Sequence, residues 1–108
     1  MAYSVIITPS AKADIFETNT WLLEHYPEYA DAWLWSTSEA ITSLTKFPER
    51  CAVCFESRAF DDEVRQLLYG KKSNVNRIHF AIQENEVYIL RVRSTRQRSL
   101  IDQIKDDD

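Results

Sequence analysis

The sequence is short of the residues that punctuate or cross-link a chain: among 108 residues there are one glycine, three prolines, two cysteines, one methionine and two histidines. A single glycine excludes collagen-like and glycine-rich repeats and leaves few positions where the backbone takes a positive φ without cost. Two cysteines cannot build a disulfide scaffold. The Cys51-x-x-Cys54 spacing supplies only half of a structural zinc site, which takes four ligands, and His25 and His79 fall on other expected elements. A thioredoxin-like pair would follow a strand and open a helix, whereas this one follows a helix and precedes strands. The pair reads as small residues in a reduced loop, and no metal or cofactor is expected. No apolar run approaches the roughly 20 residues of a bilayer span, and MAYSVIITPS lacks a basic leader, so no membrane partner and a cytoplasmic location are the expectation.

What the chain does contain is 44% hydrophobic, 28% charged and 12% aromatic residues, the composition of one globular domain spanning residues 1–108. Its formal net charge of −4 is unevenly spread. Residues 1–64 sum to −7, with four bases (Lys12, Lys46, Arg50, Arg58) against eleven acids. Residues 65–98 sum to +6, with Arg65, Lys71, Lys72, Arg77, Arg91, Arg93, Arg96 and Arg98 against Glu84 and Glu86. The last ten sum to −3, with Lys105 against Asp102 and Asp106 to Asp108. A third of the chain is thus a basic module suited to phosphates or an acidic protein segment. The alternative is that these arginines are only the solvated ends of strands.

Tyr3 to Thr8 is β-branched and stops at Pro9, which suits a helix start, with Thr8 or Ser10 as the cap. Ala11, Ile15, Leu22 and Tyr26 recur at helical spacing, with Lys12, Asp14, Glu17 and Glu24 assigned to the other faces. Pro27 breaks the pattern. A second helix is expected through Ala30, Trp33, Thr37, Ile41, Leu44 and Phe47, stopped by Pro48, so the two should form an antiparallel hairpin. Trp35, about 200° around the axis from Trp33, should face away from the core, either as an interface anchor or beneath a loop folded back over it. Glu49 to Asp62 has no clean period. Val64–Tyr69, Val75–Ile82 and Val87–Arg93 then alternate as three strands of an antiparallel meander, turning at Gly70 and around Asn85. In the middle strand Ile78, Phe80 and Ile82 should meet the helices while Arg77, His79 and Ala81 occupy the open face. The tail around 102–108 is expected to be solvated.

The order strand, helix hairpin ending in Phe-Pro, loop, then VRQLLYG, NRIHFAIQ and EVYILRVRSTRQ resembles the RelE/ParE superfamily of toxins from type II toxin–antitoxin modules, including plasmid-stabilisation proteins. The likeness covers about residues 3–98. It implies an α+β fold, growth arrest when the toxin is free, and silencing by a cognate antitoxin. In the RelE branch the target is messenger RNA, cut without metal on the ribosome; in the ParE branch it is DNA gyrase. The resemblance maps functional arginines onto Arg77 and Arg96, with Arg98 as an alternative. The RelE tyrosine falls near Asp102, and Arg65, Gln66 and Leu67 replace a lysine-rich strand. Ser94 stands where plasmid-stabilisation relatives often have histidine.

Metal-free RNA cleavage needs a base, an acid and charge stabilisation. Arginine supplies only the last, because its guanidinium stays protonated. His79 is the neighbouring group that titrates in the right range, or else a strand histidine with a structural hydrogen bond. Tyr69 stacks on a base or packs, packing being the simpler role. Gyrase poisoning needs a binding surface instead, for which Arg65, Lys71, Lys72, Arg91, Arg93 and Arg98 are candidates beside Arg77. These features favour the ParE branch, with a RelE-like nuclease and a non-toxic antitoxin-binding module as alternatives, and a homodimer left open.

Overall fold

The computed structural model describes residues 2–54, 63–70 and 75–94. The chain runs through strand β1 (Ser4–Ile7), helices α1 (Pro9–His25) and α2 (Pro27–Ser43), a 3-10 turn (Pro48–Arg50), and strands β2 (Arg65–Tyr69), β3 (Asn76–Gln83) and β4 (Glu86–Ser94). This is the α+β arrangement the sequence predicts. The sheet goes one step further than the expected meander. β2, β3 and β4 are successively antiparallel, and β1 pairs parallel with the far side of β4, giving the order β1-β4-β3-β2. β4 is therefore central, which explains why it is apolar on both faces for most of its length.

Thr8 ends the first strand and starts the first helix. Its amide and hydroxyl both donate to the Ile89 carbonyl, at 3.1 and 2.6 Å, while the same hydroxyl accepts from the Ala11 amide at 3.3 Å. Pro9 follows at the first helical position, where its missing N–H costs nothing. Thr8→Ala removes a cap and a cross-link to β4 together. We expect a loss of about 1–2 kcal/mol, a fall of roughly 5–10 °C in a thermal melt, with Thr8→Ser recovering most of it.

Tyr26 closes α1 and precedes α2, at φ −141° and ψ 63°. A residue before proline is pushed out of the helical region, so the hairpin corner sits where Pro27 requires. The end of α2 departs from expectation. The helix stops at Ser43, and Phe47, predicted on its buried face, is 65% exposed with φ 46° and ψ 59°. Pro48 again bars the helical region to the residue before it, and Phe47 takes the left-handed region. Arg50 holds that bend: its guanidinium donates to the carbonyls of Lys46 at 2.8 Å and Phe47 at 3.1 Å, and to the Ser43 hydroxyl at 3.0 Å. Pro48 itself is buried.

The core lies between the helices and one face of the sheet. Ile78 and Phe80 of β3 and Val87, Ile89 and Val92 of β4 meet Ala11 of α1 and Ile41 of α2, with Leu44 beyond it. Val5, Ile7, Leu67 and Trp33 pack against this cluster. Opposite Phe80 stands Ile89, and opposite His79 stands Arg91, so Leu90 is an extra residue in a bulge of β4. Among the described residues no helix is long and apolar enough to cross a membrane.

Candidate functional site

Because Ile78 and Val92 are paired and buried in the core, the residues on either side of them turn the other way. Arg77 is directly opposite Arg93, and His79 is directly opposite Arg91. Three guanidinium groups and an imidazole thus share the face away from the helices. β2 adds Gln66 opposite His79 and Leu68 opposite Arg77, the latter leucine 52% exposed. Ala81, expected on this open face, is instead buried.

Like charges directly across a sheet repel, and one acid relieves the strand that carries two of them. β1 flanks β4 only as far as Ile89, where the chain swings away into α1. Asp14, one turn into that helix, stands beside β4 beyond that point. Its carboxylate accepts the Val92 amide at 2.9 Å, and Nε and Nη2 of Arg91 at 2.8 and 3.0 Å. The bidentate fork explains why an acid tolerates a largely buried position. Burial pushes the Asp14 carboxyl upward, but the hydrogen bonds from Arg91 and Val92 and the charges of Arg91 and Arg93 outweigh it, so it titrates below the ordinary value. The same hydrogen bond raises Arg91, against a smaller opposing effect of burial. Sequence patterning assigns Asp14 to an outer face; its spacing from Ala11 and Thr18, both buried, is the signal that points inward.

The remaining predicted residues separate into groups. Arg93 is exposed and Arg77 half-buried on the sheet face. His79 is half-buried and its Nε2 atom is buried. Arg65 is drawn away from them. It pairs with Phe80, on the helix side, and donates to the carbonyls of Cys51 at 2.6 Å and Glu49 at 3.2 Å, with Glu63 3.6 Å away. Its guanidinium ties the 3-10 turn to the edge of the sheet. Lys71, Lys72, Arg96 and Arg98, like the 102–108 tail, lie outside the described residues.

Two polar contacts hold the start of β3 in place. Trp33 donates through Nε1 to Asn76 at 3.1 Å, and the Thr37 hydroxyl is 2.6 Å from that of Tyr69, the residue paired with Asn76. Asn76 is buried and directly precedes Arg77. Tyr69 thus packs rather than presenting its ring for stacking. Burial drives its phenol up to about 12, against the opposing pull of the Thr37 hydrogen bond. A phenol raised in the fold stabilises below the unfolded value near 10, and that contribution is lost as pH climbs towards 12. Tyr69→Phe should therefore lose roughly 2–3 kcal/mol less than the parent between about pH 10 and 12, read from melts over that range.

Cys51 and Cys54 are both buried thiols outside any disulfide. Val53 between them bridges Arg65, with the Cys54 amide donating to Val64 and that of Gln66 to Ala52, so this stretch is extended. Three extended steps separate Cα atoms by about 10 Å, beyond the roughly 7 Å a disulfide bridges. On α2, Trp35 is 69% exposed, facing outward as the helical spacing predicts.

A model of the ParE toxin of type II toxin–antitoxin systems (parDE) matches residues 5–99, nearly the whole chain. The chain belongs to the ParE toxin family. Among solved structures it resembles the chromosomal ParDE toxin–antitoxin system from P. aeruginosa, at 20% identity and a TM-score of 0.68, covering 86% of this chain and 96% of that one. It also resembles the RelBE2 toxin–antitoxin complex from Mycobacterium tuberculosis, at 19% identity and a TM-score of 0.54, covering 87% and 99%. At these identities the two likenesses speak to the fold, and the family match carries the membership. No curated protein matches the chain. For this ParE family member, Asp14, Asn76 and the Arg50 clamp are the structural residues that periodicity alone does not single out.

Proposed function

We propose that this chain arrests growth by poisoning DNA gyrase through its basic sheet face, and that a cognate antitoxin neutralises it. The observation that carries the choice of target is the burial of His79 Nε2. Among the described residues of the face, His79 is the side chain whose type titrates near neutrality, and a nuclease would need it within hydrogen-bond reach of a substrate hydroxyl or leaving oxygen. The accessible charge on the face is guanidinium, with Arg93 exposed and Arg77 and Arg91 half-buried. Such a surface holds anionic partners but moves no protons, which fits a poison that binds rather than a catalyst. Membership of the ParE family supports the same reading.

For the antitoxin, an acidic segment would find the basic face, and the apolar side chains left exposed on the hairpin, Phe16 at 72% and Trp35 at 69%, offer anchors. Purified chain incubated with gyrase and supercoiled plasmid should trap linear, protein-linked DNA, and stoichiometric antitoxin should abolish the effect. In a translation extract messenger RNA should stay intact. Cleavage of the RNA, lost on Arg77→Ala, would make this a RelE-like nuclease; neither effect would make it a non-toxic antitoxin-binding module.

A further inference from the structure

On its helix-facing side the open end of the β2–β3 pair is gripped by α2. Trp33 and Thr37 stand one turn apart on that helix, and their partners Asn76 and Tyr69 stand directly opposite each other across the two strands. The indole Nε1 donates to Asn76 at 3.1 Å, and the Thr37 and Tyr69 hydroxyls are 2.6 Å apart. Tyr69 is the last residue of β2 and Asn76 the first of β3, so both bonds fall where the pair is least supported by its own ladder. Apolar contacts would suffice to fill this space, as they do at Ile78 and Phe80 farther along β3. Asn76 and Thr37 are instead polar residues only 6% and 1% exposed, joined to their neighbours by hydrogen bonds, and a hydrogen bond fixes an angle where apolar contact fixes only a separation. What that angle governs lies on the other face. Arg77 follows Asn76, opposite Leu68 of β2 and Arg93 of β4, with its side chain directed away from the helices. The peptide joining Asn76 to Arg77 is planar, so a rotation of the strand at one residue turns the next with it. α1 acts on the same face by a different route, through the Asp14 carboxylate forked on Arg91.

We propose, on the reading that this sheet face engages the target, that Trp33, Asn76, Thr37 and Tyr69 are positioning residues for Arg77: from the helix side they set the twist of the strand end that presents its guanidinium to an anionic partner. None of the four touches that partner. α1 orients one arginine of the face directly, and α2 orients another through the backbone. Arg77 keeps interactions of its own, and what α2 fixes is the backbone from which they and any partner's are reached. Loosening the grip of α2 therefore weakens the binding that passes through Arg77 and spares the binding that does not.

The test is a double-mutant cycle on the full chain. Trp33→Phe removes the indole donor and keeps a ring in the core; Tyr69→Phe removes a single hydroxyl and serves if Trp33→Phe does not fold. Affinity is read with a fluorescein-labelled hexa-aspartate peptide, at a temperature where melts show every variant folded. Each change should weaken binding by about 3- to 10-fold, and neither should have a further effect in an Arg77→Ala background, because its action passes through that side chain. Thr8→Ala, which loosens the start of α1 without touching the grip of α2, should stay within about 2-fold of the parent. The Arg77 Nε–Hε resonance, identified by its loss in Arg77→Ala, should move in Trp33→Phe and Tyr69→Phe and hold its place in Thr8→Ala. Equal losses with and without Arg77, an unmoved Arg77 resonance, or a comparable loss in Thr8→Ala would overturn the inference and leave the four residues a purely structural role. A parent that neither binds the peptide nor poisons gyrase would overturn the reading of the face, with the Arg77 resonance still deciding whether α2 positions it.

Discussion

Asp14→Ala is expected to lower the melting temperature by roughly 10–20 °C, the largest stability effect of any single acid among the described residues. The carboxylate does three things that alanine cannot. It accepts the Val92 amide, which lies beyond the reach of β1 and would be left buried without a partner, a cost of about 1–3 kcal/mol. It accepts two donors from Arg91, and it relieves the positive charge that β3 and β4 bring together. Arg91 keeps 44% of its side-chain exposure and returns to water, which limits the total to about 2–4 kcal/mol. Asp14→Asn retains an acceptor for Val92 and should fall in between. The pH dependence comes from the direction of the shift. A carboxyl held below its unfolded value stabilises fully above that value, near 4, and loses the contribution as pH falls through its lower folded value. The gap between the parent and Asp14→Asn should therefore be widest near neutrality and close in acid. Melts at about pH 7, 5 and 3 decide it; a variant melting within about 2 °C of the parent at pH 7 would remove Asp14 from this role.

Arg77→Ala combined with Arg93→Ala should abolish growth arrest while leaving the fold intact. Each guanidinium contact to an anionic partner contributes about 1.5–3 kcal/mol, so losing two weakens target binding by roughly 10²–10⁴-fold. Removing the two directly opposed side chains also relieves one cross-strand repulsion, worth about 0.2–1 kcal/mol, which offsets part of what their other contacts contribute, so the fold should survive the change. Lysine at both positions keeps the charge but not the planar fork and should restore activity only in part. Colony counts after induction, beside melts of the purified proteins, separate the outcomes. Full toxicity of a stably folded double variant would show that the target is engaged elsewhere.

The face of β3 is legible because strand periodicity is local, a side chain two residues on pointing the same way, whereas in β4 the bulge at Leu90 puts Ile89 and Val92, three residues apart, on one face. The Thr8 cap and the corner at Pro27 are likewise local, each written within a few residues. Phe47 fails by that measure because the apolar spacing continues through it, while the proline after it decides the backbone. Arg65 and Arg93 look alike as basic strand residues. Only the Cys51 and Glu49 carbonyls, supplied by a distant turn, distinguish a structural guanidinium from one left exposed.

By itself the sequence determined the order of the elements, the Thr8 cap and the Pro27 corner, the segregation of charge, and which residues of β3 share a face. Tertiary structure decided the rest: that β1 lies parallel to β4, that Asp14 takes up the hydrogen bond beyond the end of β1, and that His79 Nε2 is buried. The physical reason is the range of the interactions. Caps, breaks and alternation are settled by neighbouring residues and their backbone sterics, whereas Asp14 meets Arg91 and Val92 across 77 and 78 positions of the chain. Such partners are selected by how two layers pack around one core, which no local pattern encodes.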